Sequence, residues 1–220
     1  MHIPDGFLSP KILIGTGAVS ALFVGAGVFN AKKSLGEHQV PLLGVTAAFI
    51  FAAQMLNFPV AGGTSGHFGG AAMAAILLGP LNAILVMTVV LVIQALVFFD
   101  GGLSAIGANV FNMGVTGAFL GWGTYKLLLK VLPKGKSGLL GATAVASWLS
   151  VFAAAGMAAV ELGVSGTAPL KVALPAMLSV HALIGIGEAL ISTAVITTVA
   201  VARPDLIPAL RRPEAEGAAV

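Results

Sequence analysis

Six stretches of this 220-residue chain are long, apolar and almost free of charge. They run over 12–29, 41–58, 81–99, 105–129, 139–160 and 172–201, and their only formally charged residues are Lys126 and Glu188. A bilayer-crossing helix needs ~20 mainly apolar residues. Lipid offers the backbone no hydrogen-bond partner, so such segments satisfy their own groups as helices. With 9% charged residues against 58% hydrophobic, the chain cannot cover a water-facing surface, which takes roughly a quarter charged. An all-α polytopic membrane protein follows, a single transmembrane domain over 1–203 with a short cytoplasmic tail over 204–220.

A seventh stretch, 65–79, is short and glycine-rich, and reads either as re-entrant or as spanning. Charge arbitrates. If it spans and the N-terminus lies outside, then Lys32, Lys33, Lys126, Lys130, Lys134, Lys136, Arg203, Arg211 and Arg212 all fall at cytoplasmic ends, and only Lys11 and Lys171 fall outside. If it does not span, Lys126 to Lys136 move outside and the positive-inside rule fails. Seven helices are therefore expected, N-terminus outside and C-terminus cytoplasmic. The same placement explains the net charge of +3 without nucleic acid. No Cys is present, which excludes disulfides and thiolate metal sites.

Polar groups inside spans are costly and mark function. Gln54 and Asn57 close the second span, Gln94 and Asp100 the fourth; Asn109 and Asn112 open the fifth, and His181 lies early in the last. Under this topology all share the outer half. Glu188 lies two turns below His181 on one helix face, either its packing partner or a proton acceptor. His67, in PVAGGTSGHFGG, is on the same side, whereas His38 reads as a solvated cytoplasmic residue. Small residues recur at four-residue spacing at Gly17, Ala21 and Gly25, at Ala48 and Ala52, and at Gly117 and Gly121; such stripes either pack within the bundle or dock another membrane subunit. Gly135-Lys136-Ser137 imitates the end of a phosphate-binding loop, but position 130 is Lys where that loop needs Gly, so no ATP site is expected.

The chain opens with MHIPDGFLSP. A free Met1 amine, the His2 amide nitrogen and His2 Nδ1 can close a five- and then a six-membered chelate ring around one metal. The fourth corner of a square plane stays open, and His67 is the other outer-loop histidine able to fill it. Planar nitrogen ligation suits Ni(II) and Cu(II), with Co(II) gaining less. Met1 must then be deformylated, unacetylated and retained, and the bulk of His2 disfavours its removal. Ile3-Pro4-Asp5-Gly6 reads as a turn that folds residues 1–10 back into the bundle, with Asp5 orienting a His ring or capping the first helix.

MHIPDGFLSP resembles the N-terminal signature of the CbiM/NikM family, the substrate-capture components of cobalt and nickel energy-coupling-factor transporters of the ABC class. GTSGHFGGA is similar to the family's second histidine motif; FFDGGLSAIGANVFNMG and HALIGIGEALI are similar to further family segments. The resemblance implies a six-helix core plus one extra N-terminal helix in a prokaryotic plasma membrane. It implies Met1, His2 and His67 as metal ligands. Around them it implies a supporting shell of Asp5, Thr64, Ser65, Asn57, Asp100, Asn109, Asn112, His181 and Glu188. It also implies partners: a transmembrane coupling subunit, two cytoplasmic ATPases that hydrolyse ATP in this non-enzymatic chain's stead, and often a small accessory membrane protein.

The expected function is capture of Ni(II) from outside for ATP-driven uptake, with Co(II) as the alternative cargo. A proton-coupled secondary metal transporter, with His181 and Glu188 as relay, is the rival reading. An intramembrane enzyme finds no Ser/His/Asp set or paired metal motif to support it.

Overall fold

The computed structural model describes residues 1–34, 36 and 39–210. His38, Arg211, Arg212 and most of the expected tail lie outside the described residues. In chain order the elements are α1 (Pro10–Ser34), α2 (Gln39–Gln54), β1 (Asn57–Pro59), β2 (Ser65–His67), α3 (Ala71–Leu78), α4 (Pro80–Val97), α5 (Ile106–Asn109), a π-helical segment (Val110–Thr116), α6 (Gly117–Val131), α7 (Lys136–Val164) and α8 (Leu170–Ala202), followed by two 3-10 turns. Among the described residues, four helical stretches are long and apolar enough to cross a membrane: Pro10–Lys33, Pro80–Val97, Lys136–Val164 and Leu170–Ala202.

Two expected spans need correction. The run 41–58 stops as a helix at Gln54, and Asn57 to Pro59 pair antiparallel with Ser65 to His67 instead, Asn57 opposite His67. The run 65–79 is not one helix. Its first three residues are β2, and α3 has only eight residues, about 12 Å at 1.5 Å per residue, against ~30 Å of hydrocarbon. Glycines bound α3 on both sides: Gly70 at φ 84 opens it and Gly79 at φ 81 ends it, a backbone turn that residues with a Cβ adopt at a cost. Pro80 then starts α4 where its missing N–H is harmless.

Contacts sort the element ends into two groups. At the end carrying residue 1, Asn57 meets Asp100, Ser9 meets Ser165, and Ser20 meets Gly107. At the opposite end, Asn30 meets Asn82, and Leu129, Pro133, Lys134 and Leu139 gather beside Ala209 and Leu210. The β-hairpin dips in from the first end, and α3 continues from it toward the second.

α3 is the buried centre, with Ala71 to Leu77 all buried. A Cβ at Gly117 would lie 3.0 Å from Ala71, and one at Gly121 2.6 Å from Ala72, so that small-residue stripe of α6 is the seat of α3. α1 approaches α5 closely at Gly17: a Cβ on Gly107 would come 2.6 Å from the Gly17 Cα, while one on Gly17 itself would meet nothing within 4 Å. Ala21, Gly25, Ala48 and Ala52 are exposed.

Candidate metal centre

The first three residues are driven into the bundle. Met1 and Ile3 are fully buried and His2 is nearly so. Gly6, at φ 81, completes the turn that lets the chain enter before α1 begins. Ile3 N donates to Asn109 Oδ1 at 2.8 Å, and the Ile3 carbonyl accepts from Asn109 Nδ2 at 3.1 Å and Gly102 N at 2.9 Å. This inserted stretch has its backbone groups paired as buried groups must be.

The Met1 amine donates to the Ser65 carbonyl and, at 2.8 Å, to Ser65 Oγ; the His2 amide N–H reaches the same oxygen at 3.2 Å. Two nitrogens two atoms apart in the chain thus aim at one point. Burial holds the amine well below its usual pKa of 8.0, against the pull of Asp100, which favours the neutral form that has a lone pair to give.

The His2 and His67 rings stack with centroids 4.5 Å apart and planes 21° apart. His67 Nδ1 is 2.7 Å from the Phe68 carbonyl, an oxygen that only accepts. Nδ1 therefore carries the proton and Nε2 the lone pair, and Nε2 is buried with no partner. His2 Nε2 is 3.0 Å from Gln94 Oε1, which places the ring proton there by the same reasoning. His2 Nδ1 has no hydrogen-bond partner and lies 3.1 Å from Asp100 Oδ1, an ion pair when the ring is protonated. Half-burial pushes Asp100 up, but the His2 ring, the Asn57 amide at 3.0 Å and the terminal amine outweigh it and hold the carboxyl below its usual range.

The remaining expected residues divide. Thr64 lines the open pocket with His2, Ser65, Asn57 and Asp100; its hydroxyl is unpartnered. His181 is buried, fixes its Nδ1 proton on the Met177 carbonyl at 2.7 Å and leaves Nε2 free. Asp5 touches no ring and does not cap α1. Its carboxylate accepts from Ser104 N at 2.7 Å, Ser104 Oγ at 2.5 Å and Leu103 N at 3.1 Å, binding the loop before α5. The Ser104 hydroxyl and amide lower its pKa. Asn112 faces away, donating to Glu161 Oε2 at 2.7 Å; the π-helical register separates its direction from that of Asn109. Glu188 does not pair with His181: it binds the Gly69 and Gly70 amides.

Sequence reading gave Gln94 and Gln54 no partner and did not single out Glu161. Their amide and carboxyl groups are legible as buried polar residues; what they bind is not. Among the described residues no three His, Cys, Asp or Glu side chains come together as a metal cluster. A metal held here would draw on main-chain nitrogen.

A family model described as "Cobalt uptake substrate-specific transmembrane region" matches residues 2–206. The fused nickel transport protein NikMN of Rhodobacter capsulatus is 35% identical over 98% of this chain and 66% of its own length. The cobalt transport protein CbiM of Lachnoclostridium phytofermentans is 36% identical over 63% of this chain and 56% of its own. A crystal structure described as a truncated transition metal transporter superposes with a TM-score of 0.85 at 36% identity, covering 90% of this chain and 98% of that one. The chain spans about two thirds of the fused nickel relative and just over half of the cobalt one.

Proposed function

From the premise that this chain belongs to the CbiM family, a multi-pass membrane protein of cobalt and nickel transport, we propose that it is the capture subunit of an ATP-driven nickel uptake system. Cobalt is the alternative cargo, favoured by the name of the Lachnoclostridium relative. The carrying observation is the convergence of the Met1 amine and the His2 amide on the single atom Ser65 Oγ. Two of the three nitrogens of an amine–amide–imidazole claw are already aimed at one point, beside two imidazoles with unbonded nitrogens.

In this reading Met1 N, His2 N, His2 Nδ1 and His67 Nε2 hold the dication. Gln94 and the Phe68 carbonyl fix the two ring tautomers, as outer partners of metal-bound histidines do. Loading displaces the His2 amide proton, and the resulting amidate together with Asp100 balances the charge of a dication. A buried ion needs such balance.

The proposed topology has seven crossings with residue 1 outside: α1, α2, the β2–α3 unit, α4, the α5–α6 run, α7 and α8. It is supported by the distribution of cations. Lys11 and Lys171 start α1 and α8 at the end carrying residue 1. Lys32, Lys33, Lys130, Lys134, Lys136 and Arg203 belong to the ends and turn on the other side, as the positive-inside rule requires. The proposed partners are the coupling subunit, two ATPases and a small accessory membrane protein.

The test is nickel binding by the purified protein with its native terminus, and with one Ala inserted between Met1 and His2. The native form is expected to bind nickel with the yellow absorption band of a square plane, and the insertion to lose both. Equal binding with the same band in the insertion variant would remove the terminus as ligand.

A further inference from the structure

Glu188 is a buried carboxylate on a membrane-spanning helix with no cation against it among the described residues. Its Oε2 accepts from Gly69 N at 2.6 Å and its Oε1 from Gly70 N at 2.7 Å. Both amides lie just before the first turn of α3, where unpaired N–H groups and the helix dipole favour an anion. Gly70 is in the left-handed region at φ 84, and a Cβ there would come 2.8 Å from Ile50. The backbone is thus bent so that consecutive N–H groups face one carboxylate.

The Gly69 N–H and the Phe68 carbonyl belong to the same peptide group. That carbonyl is the acceptor of the His67 Nδ1 proton at 2.7 Å. One planar unit therefore joins the two: Glu188 Oε2 to H–N of Gly69, through the amide, to the Phe68 oxygen, to H–Nδ1 of His67. Amide resonance couples its two ends. A negative charge on the N–H draws electron density toward the oxygen, and hydrogen bonds in such a chain strengthen one another. A carboxylate bonded directly to a histidine N–H raises the basicity of the opposite nitrogen toward a metal; here a peptide group is interposed.

We propose that Glu188 is a positioning residue for metal capture, acting on His67 Nε2 through the Phe68–Gly69 peptide. This rests on the reading of His67 as a ligand. Gln54 provides an internal comparison, because its Nε2 donates to the Gly69 carbonyl at 2.7 Å. It steadies the same glycine from α2 but lies on the next peptide group, outside the path to the ring.

The experiment compares the native chain with Glu188→Gln and Gln54→Leu, each purified in full length. Nickel affinity and the square-planar absorption band are read on the loaded protein, and the His67 Nδ1–H proton resonance on the metal-free protein. Glu188→Gln is expected to lower nickel affinity about 10- to 100-fold, move the band to longer wavelength and move the Nδ1–H resonance upfield. Gln54→Leu is expected to stay within about threefold with band and resonance unmoved. Two results would overturn the inference: Glu188→Gln matching the native chain, or the two variants losing affinity equally with no change of band or resonance, which is a purely structural role. If the native chain binds no nickel, the capture reading fails while the metal-free resonance still decides the path from Glu188 to His67. If Glu188→Gln does not fold, proton exchange in the native chain decides instead: the His67 Nδ1 and Gly69 N protons should both exchange slowly, and rapid exchange of the Nδ1 proton in folded protein rejects the connection.

Discussion

Asn109 holds Ile3 by both of its backbone groups, accepting from the N–H at 2.8 Å and donating to the carbonyl at 3.1 Å. One side chain on α5 thereby imitates the neighbouring strand that an extended segment usually needs. Asn109→Leu removes both bonds and leaves a buried N–H unpaired, while the carbonyl keeps Gly102. A buried unpaired group costs about 1–3 kcal/mol, and the lost second bond adds to it. Nickel dissociation is expected to become roughly 100-fold faster, from about 2.7 kcal/mol of weakened docking. The unfolding temperature should drop only a few degrees, because the α3 core is untouched. Stopped-flow chelator competition measures the rate; an unchanged rate means that the terminus is held by something else.

Gln94 and His2 give a sharper test of tautomer control. With Gln94 Oε1 against Nε2, the ring proton is kept away from Nδ1. Gln94→Leu abolishes that preference and should weaken nickel binding about 10-fold or more. Gln94→Glu keeps an acceptor at the same reach and should retain most of the affinity. Titration of both variants with nickel checks it, and equal loss in both would reduce Gln94 to a packing residue.

Much of this arrangement was legible because lipid is such a demanding solvent. Long uncharged runs have one backbone solution, so α1, α4, α7 and α8 fall where hydropathy places them. The failures share a cause: pairing that composition does not encode. Leu56 and Phe58 look like more of α2, but Asn57 to Pro59 pair with Ser65 to His67 across a turn of the hairpin. The stretch around α3 has the apolarity of a span and the glycines of a loop, and it is both in succession. Met1, His2 and His67 carry their chemistry in their residue types, and two separated segments, the terminus and β2, then meet at one end. The partner of Asp5 is Ser104, 99 residues away, and no local spacing announces it. Glu161 sits one residue beyond the run 139–160, where it reads as a helix-end charge; its buried bond to Asn112 exists only in three dimensions.

Ser65 Oγ is the point where the Met1 amine and the His2 amide converge. One of its hydroxyl's two bonds serves the empty state alone, since in the proposed loading a metal displaces the His2 amide proton, while the amine keeps its N–H donors. Ser65→Ala should therefore destabilise the empty protein more than the loaded one. At about 1 kcal/mol per net hydrogen bond, nickel affinity is expected to rise about fivefold, with a lower unfolding temperature only in the absence of metal. Calorimetry of both forms checks the sign, and a fall in affinity means that the hydroxyl orients the claw in the loaded state too.

Acid should release the terminus. Burial lowers the pKa of the Met1 amine well below 8.0. The amine is a base, so the docked state binds fewer protons than the undocked one. Docking is at full strength above pH 8. It weakens as pH falls below 8 through the amine, by up to tenfold per pH unit. Hydrogen exchange at the Ile3 amide, protected by Asn109, reports this directly in metal-free protein. Protection corrected for intrinsic exchange should fall between pH 8 and 6 and be restored by nickel. Flat protection over that range would mean that the amine is already charged when docked.

Gly102 is where the inserted terminus comes closest to another backbone. A Cβ there would overlap Asp5 N and lie 2.6 Å from Asp5 Oδ1 and 2.7 Å from the Pro4 carbonyl carbon. Two of these three are main-chain atoms, with no flexible side-chain end to swing aside. The strand-like bond from Gly102 N to the Ile3 carbonyl requires that closeness. Gly102→Ala should therefore push residues 3–5 outward and cost more than 100-fold in nickel affinity. The helices should still assemble, since the α3 core lies elsewhere. Gly123→Ala is the matched control: it is helical in α6, its added methyl meets nothing within 4 Å, and affinity should stay within about twofold. Equal binding by Gly102→Ala and the control would show that the terminus reaches its site by another route.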